Sequence, residues 1–172
     1  MPIYKCSAPH SHISYSQRES NAINSKSSYT QLPGVALGYY RYSANYRQYG
    51  TSDTIKCIMT VSRLWMQFAI GDTESYPFGI GDMSYADGRP MSPHASHRDG
   101  KAVDIRPIRK DRRQLPVSFT DSEYDREETQ RLVNAFRAKK DNVDLIFFND
   151  PQIVGVRQWP GHQNHLHVHF RK

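Results

Sequence analysis

The sequence predicts an α+β domain: a mostly antiparallel sheet with flanking helices. Three observations predict it. Apolar alternation of period two marks several short strands, two longer windows carry helical periodicity, and the order along the chain is strand, helix, strand, strand, helix, strand, strand. At 172 residues the chain fits one domain and is long enough to bury a core. No internal repeat or second domain is apparent.

Residues 1–36 are rich in Ser, Asn, Gln and Tyr and lack apolar periodicity, so they are expected to wrap the core or stay partly loose. His10 and His12, in PHSH, read as surface residues. The folded domain is expected over 37–172. Its first strand lies in VALGYYRYS (35–43), where Tyr39, Tyr40 and Tyr42 are expected to serve packing rather than a ligand. Thr51 or Ser52 then caps a helix. Ile55, Ile58, Met59, Ser62, Trp65 and Met66 give it an apolar side, and Val61, Leu64 and Phe68 widen that side into a nearly all-round core helix, the expected main partner of the sheet. Cys57 falls inside it; a bridge to Cys6 would close a long loop and constrain the unfolded chain by about 4 kcal/mol.

Residues 71–88 are turn-rich, and GIGDMS (79–84) enters the next strand. DGRP (87–90) turns the chain toward the first histidine cluster, His94-Ala-Ser-His97, and Arg98-Asp99-Gly100 turns again into a strand over 102–108 that carries Asp104. A charged connection follows. Thr120 with Glu123 forms a capping box, or Ser122 is the cap, for a surface helix running to about residue 140, with Thr129, Leu132, Val133 and Phe136 as its apolar stripe and Arg126, Glu127, Arg131 and Arg137 outside. VDLIFF (143–148) reads as a buried strand. IVGVRQWP (153–160) leads to the last element, and Trp159 is a candidate cleft wall.

That last element carries the chemistry. GHQNHLHVHFR (161–171) holds His162, His165, His167 and His169, and over 166–170 Leu166, Val168 and Phe170 alternate with His167 and His169. A strand there puts both histidines on one face and the apolar groups on the other. Two imidazoles and a carboxylate suit Zn2+, which takes four ligands and, in catalytic sites, keeps one position for water. His97, Asp104 and one histidine of the terminal strand supply such a set. With only two cysteines, far apart in sequence, no thiolate-rich structural zinc site can be built.

His97-x6-Asp104 followed by His165-x-His167 resembles the zinc signature of the LAS metallopeptidases, the group of lysostaphin-type enzymes, D-Ala-D-Ala peptidases and the hedgehog domain. HASHRDGKAVDI with GHQNHLHVHF is most similar to the penicillin-insensitive murein endopeptidases, and the likeness takes in Tyr49-Gly50-Thr51 and Gly81-Asp82-Met83-Ser84, spanning 38–172. The resemblance implies an LAS/hedgehog-like fold and one Zn2+ per chain on His97, Asp104 and His167. It implies that His165 assists as general base or stabilises the oxyanion, and that His94 and His162 lie around the centre or toward the substrate. It implies peptidoglycan stem peptides as substrate and a D,D-endopeptidase cutting the D-Ala to meso-diaminopimelate cross-link. The family usually has arginine at the position of His169, so Arg98, Arg106 and Arg109 become the candidates to bind a peptide carboxylate. The family's periplasmic members have several disulfides; this chain can form at most one.

Composition bounds the rest. The net charge of +6 and a pI near 9.4 favour anionic partners. The basic residues are dispersed apart from RKDRR (109–113) and match no nucleic-acid motif, so no nucleic-acid partner is expected and the polyanionic cell wall is preferred. Nothing is long and apolar enough to span a membrane. No secretory signal is visible. The expectation is therefore an enzyme acting in the periplasm or cell wall, either with its signal already removed, or delivered as a secreted antibacterial effector with an immunity protein as partner, or released at phage lysis. Alternatives are a D,D-carboxypeptidase releasing terminal D-Ala, a non-catalytic zinc-binding module, and a histidine-rich metal store.

Overall fold

A computed structural model describes residues 29–34, 36–68, 76–94 and 96–171. Cys6, His10, His12 and residues 71–75 of the turn-rich stretch lie outside them. The elements are β1 (Thr30–Gln31), β2 (Tyr39–Arg41), a 3-10 turn (Asn45–Arg47), β3 (Tyr49–Gly50), α1 (Ser52–Phe68), β4 (Phe78–Ile80), β5 (Ala102–Ile105), α2 (Arg126–Arg137), β6 (Val143–Phe147) and β7 (Leu166–Phe170). The class is α+β. The main sheet has the order β2-β4-β5-β7-β6; only β2-β4 is parallel, so the sheet is mostly antiparallel. β1 and β3 form a separate antiparallel pair, which the sequence does not announce because each strand has two residues.

Alternation along β5 and β7 divides the sheet into two faces. Val103 pairs with Val168 and Ile105 with Leu166, and these four join one apolar core with Ile58, Val61 and Trp65 of α1 and Leu132, Val133 and Phe136 of α2. Phe78 is the hinge of that core, edge-on to both Trp65 and Phe136. The other face carries Asp104 opposite His167 and Ala102 opposite His169. The helices thus clamp the apolar face of a sheet whose remaining face is polar and chemically equipped.

Several boundaries differ from the sequence expectation, each for a physical reason. The 102–108 strand ends at Ile105: Arg106 N still bonds Gly79 O, but Pro107 has no N–H to continue the ladder. α2 starts at Arg126 and ends at Arg137, capped by Asp125, whose carboxylate accepts from Glu128 N, and not by Thr120 or Ser122. Residues 123–125 are used instead as an extended segment: Lys110 N bonds Glu123 O and Asp125 N bonds Ile108 O, which rules out a helix there. α1 is capped by Thr51 Oγ1, which accepts from Thr54 N, and is not apolar all round, since Lys56, Arg63 and Gln67 face solvent. The side chain of Phe68 lies outside the described residues. Tyr39 packs, as expected, and donates to Pro33 O; Tyr42, also expected to pack, lines a groove. Cys57 is buried in α1. No helix of the described residues is long and apolar enough to cross a membrane.

Candidate metal centre

β5 and β7 bring together residues sixty-three positions apart because their register makes Asp104 and His167 direct cross-strand neighbours. His97 arrives from the loop before β5. That loop turns at Gly100 (φ 69°), whose N–H donates to Ser84 Oγ and whose carbonyl accepts from Thr51 N. A Cβ on Gly100 would stand 2.8 Å from Thr51 N, so the turn needs glycine both for its positive φ and for this close approach.

The three side chains converge on one point. His97 Nε2 is 3.1 Å from Asp104 Oδ1 and 3.2 Å from His167 Nδ1, and His167 Nδ1 is 3.0 Å from Asp104 Oδ1. All three residues are buried. The outer partners fix which nitrogen of each ring faces the cluster. His97 Nδ1 is 2.8 Å from Met83 O, which only accepts, so Nδ1 carries a proton and Nε2 is turned to the cluster. Ser96 Oγ meets His167 Nε2 at 3.3 Å, which leaves His167 Nδ1 turned to the cluster. Two ring nitrogens and a carboxylate oxygen within hydrogen-bond distance of one another, away from water, share a proton or a cation. Tetrahedral coordination at zinc's usual bond lengths puts neighbouring ligand atoms about 3.3 Å apart, close to the edges of this triangle. Burial alone would push the Asp104 carboxyl up. The hydrogen bonds from His167 and His97 overcome that and hold it below the usual carboxylate range, so it is an anion.

His94 stands beside this triangle. Its ligand atom lies within 4.8 Å of those of His97 and Asp104, and these three could also hold a metal ion. Two ligand sets therefore share His97 and Asp104, one completed by His167 and one by His94. The set with His167 is tighter: its edges do not exceed 3.2 Å, whereas His94 Nδ1 is 3.7 Å from Asp104 Oδ2.

His165 and His162 occupy the other side. His165 Nε2 is 3.9 Å from Asp104 Oδ1, and its Nδ1 is 3.0 Å from Asn164 Oδ1. Burial pushes His165 down to about 4; Asp104 opposes the shift, and His162 and His167 add to it, so the ring is neutral at pH 7. His162 Nδ1 faces the carbonyls of Trp159 and Pro160, and its ring packs at a tilt against Phe147 and His165. Trp159 rests on Phe147 with 56% of its surface exposed, forming a shelf beside these histidines.

Of the candidate arginines, Arg106 lies against a residue of the groove beside the centre. Its guanidinium lies 4.0 Å over the ring of Tyr42, which lines the groove, and donates to Gln114 O. The fork of Arg109 is filled by Asp111, at 2.8 and 2.5 Å, so it is not free for a substrate carboxylate. Arg98 is exposed, in the turn that follows His97. His169 lies opposite Ala102, half-buried and 3.9 Å from Asp99 Oδ2.

Sequence reasoning left out the wall on the His94 side. A groove of about 450 Å³ runs along Tyr42, Arg47, Asp82, His94 and Asp104. Asp82 is its anchor: Arg47 donates to both its oxygens, at 2.8 and 2.6 Å, Ser43 donates as well, and His94 Nε2 stands 3.2 Å from Oδ2. Burial would raise the Asp82 carboxyl, but these donors hold it lowered. The sequence signal was the likeness over Gly81-Asp82-Met83-Ser84, which gave Asp82 no role.

No protein-family model matches the chain, and no curated protein matches it. Fold and site together define an α+β protein with a buried histidine and aspartate cluster able to hold a metal ion.

Proposed function

We propose that the chain is a zinc-dependent peptidoglycan D,D-endopeptidase that hydrolyses the D-Ala to meso-diaminopimelate cross-link between stem peptides. The observation that carries this reading is the triangle of His97 Nε2, Asp104 Oδ1 and His167 Nδ1, with edges of 3.0 to 3.2 Å. Two imidazoles and one carboxylate, hydrogen-bonded from behind or paired across the sheet, suit Zn2+ better than Mg2+ or Ca2+, which want oxygen donors. When bound, zinc supplies Lewis-acid polarisation of a carbonyl oxygen and acidification of water.

The chain's own residues divide the remaining tasks. His165, neutral and flanking the cluster, takes up the proton that the attacking water gives up. His162 packs against His165 and keeps that ring from turning away. The shelf of Trp159 on Phe147 lies beside His162. His94 approaches one oxygen of Asp104 and His165 the other, so the cluster carries a histidine on each side. A basic chain of net charge +6 is drawn to the anionic cell wall, where such an enzyme acts after export, delivery as an effector paired with an immunity protein, or phage lysis.

Purified cross-linked muropeptide dimer tests the reading. Conversion to monomers is expected with the zinc-loaded protein and not after chelation; free D-alanine as the sole product would replace it with carboxypeptidase action. No product, with one zinc still bound and retained by His165→Ala, would identify a non-catalytic zinc module. Several zinc ions per chain would identify a metal store.

A further inference from the structure

We propose that the hydroxyl of Tyr42 is a substrate-binding donor, which holds a carbonyl oxygen of the peptide beside the bond that is cut. This rests on the hydrolase reading above and adds to it the direction in which the substrate crosses the sheet.

The placement follows from the register. Tyr40 lies opposite Gly79, and one residue beyond β2 the N–H of Tyr42 still donates to Ile80 O, so Tyr42 falls opposite Gly81. Gly81 N in turn donates to Asp104 O, and Asp104 pairs with His167. By alternation these residues share the polar face, where Tyr42, Gly81, Asp104 and His167 follow one another across the sheet. Gly81 brings no side chain to that row, and the Tyr42 ring occupies the space. A Cβ on Gly79 would stand 3.1 Å from Tyr42 Cδ1, and one on Gly81 would overlap the Tyr42 hydroxyl. Adjacent strands lie about 4.8 Å apart, so the phenol end of a residue two strands away arrives one strand from Asp104.

The ring is held while its hydroxyl stays open. The Arg106 guanidinium lies 4.0 Å over the ring. On the same face the hydroxyl of Tyr40 is engaged by Arg106 Nη1 at 3.5 Å, whereas that of Tyr42 makes no hydrogen bond among the described residues. Tyr42 lines the groove of about 450 Å³ together with Asp82, His94 and Asp104. A phenol keeps its proton at neutral pH, so it meets a bound molecule as a donor fixed in place. The acceptor it suits is a neutral carbonyl. Asp82 and Asp104 repel a carboxylate, and the fork of Arg47, the one guanidinium lining the groove, is already filled by Asp82. An extended residue spans about 3.3 Å, so a peptide running from Asp104 over Gly81 brings a carbonyl there within one or two residues of the reacting bond.

Tyr42→Phe removes the hydroxyl and keeps the ring over Gly81. It is expected to raise KM for the cross-linked muropeptide dimer about 3- to 10-fold, the range for one net hydrogen bond, with kcat within a factor of about two and one zinc per chain. Kd for the same dimer, measured by calorimetry on the His165→Ala background where cleavage is slow, is expected to rise by the same factor. Gly81→Ala, whose new Cβ displaces the hydroxyl, is expected to raise KM as well, and to add no more than about twofold when combined with Tyr42→Phe. Unchanged KM and Kd in Tyr42→Phe, a fall in kcat alone, or full additivity of the two substitutions would overturn the proposal while leaving the hydrolase reading intact. Loss of zinc or of the folded state in Tyr42→Phe would also overturn it, by making the hydroxyl a structural group. A wild-type protein that binds the dimer without cutting it would remove the hydrolase reading and leave this inference to be decided by Kd; one that neither binds nor cuts would remove both.

Discussion

His167 and His169 belong to the same strand and the same face, two residues apart, yet their surroundings have little in common. His167 is 5% exposed, faces Asp104 across the ladder, and shares its Nδ1 with the cluster. His169 faces Ala102, is half-buried, and stands 3.9 Å from the carboxylate of Asp99. The difference lies in the strand next door. β5 offers a carboxylate at one rung and a methyl group at the next, so one imidazole gains a partner that fixes its ring and the other does not. What makes a histidine ligand-like here is the cross-strand neighbour, not the histidine.

The sharpest way to break this comparison is to remove the better-placed ring. His167→Ala is expected to abolish both zinc retention after dialysis and muropeptide cleavage, because two of the three edges of the triangle end on its Nδ1. Zinc content by elemental analysis checks it; a variant that keeps its metal would shift the centre to the set completed by His94. Next in size is His165→Ala, which leaves the triangle untouched and is expected to lower kcat by about 10²- to 10⁴-fold at unchanged zinc content, the usual contribution of a general base.

A third experiment uses pH on the metal-free protein. His165 has a folded-state value of about 4, below the ordinary histidine value of 6.5, so between those values the unfolded chain binds more protons than the folded one. The stability contributed by keeping this ring neutral is therefore complete above about pH 6.5 and is lost as pH falls toward 4. The loss from this ring is on the order of 3 kcal/mol. Urea midpoints at pH 7 and pH 4.5 measure it, and His165→Ala is expected to shrink the difference; an unchanged pH response would show that the ring is already solvated. The smallest effect belongs to His169→Ala. Zinc content is expected to stay at the wild-type value, with stability within about 0.5 kcal/mol, as for surface substitutions without a fixed partner. A large loss of zinc in this variant would end the distinction drawn between the two histidines.

Much of the fold was legible because the relevant signals are local. The alternation of Leu166, Val168 and Phe170 with His167 and His169 defines β7 to the residue, since a half-buried strand has no other way to distribute those side chains. The periodicity of Leu132, Val133 and Phe136 located α2, but its start was misplaced, because whether residues 123–125 join a helix depends on the carbonyl and N–H groups of Ile108 and Lys110, which no local pattern displays. The same holds at the site. His97, Asp104 and His167 could be picked out by residue type and spacing, whereas Asp82 could not, because its role comes from Arg47 and Ser43 on one side and His94 on the other.

Taken alone, the order of amino acids determined which faces are apolar, where a turn demands glycine, and which side chains have metal-binding chemistry, for each is a property of a few neighbouring residues. Tertiary structure decided which histidine meets the aspartate, which arginine is already occupied, and which carboxylate stands beside His94 in the groove. These depend on the register between strands and on loops packed from distant parts of the chain. Such contacts form only when the apolar face of the sheet is buried, and that burial is a property of the whole fold.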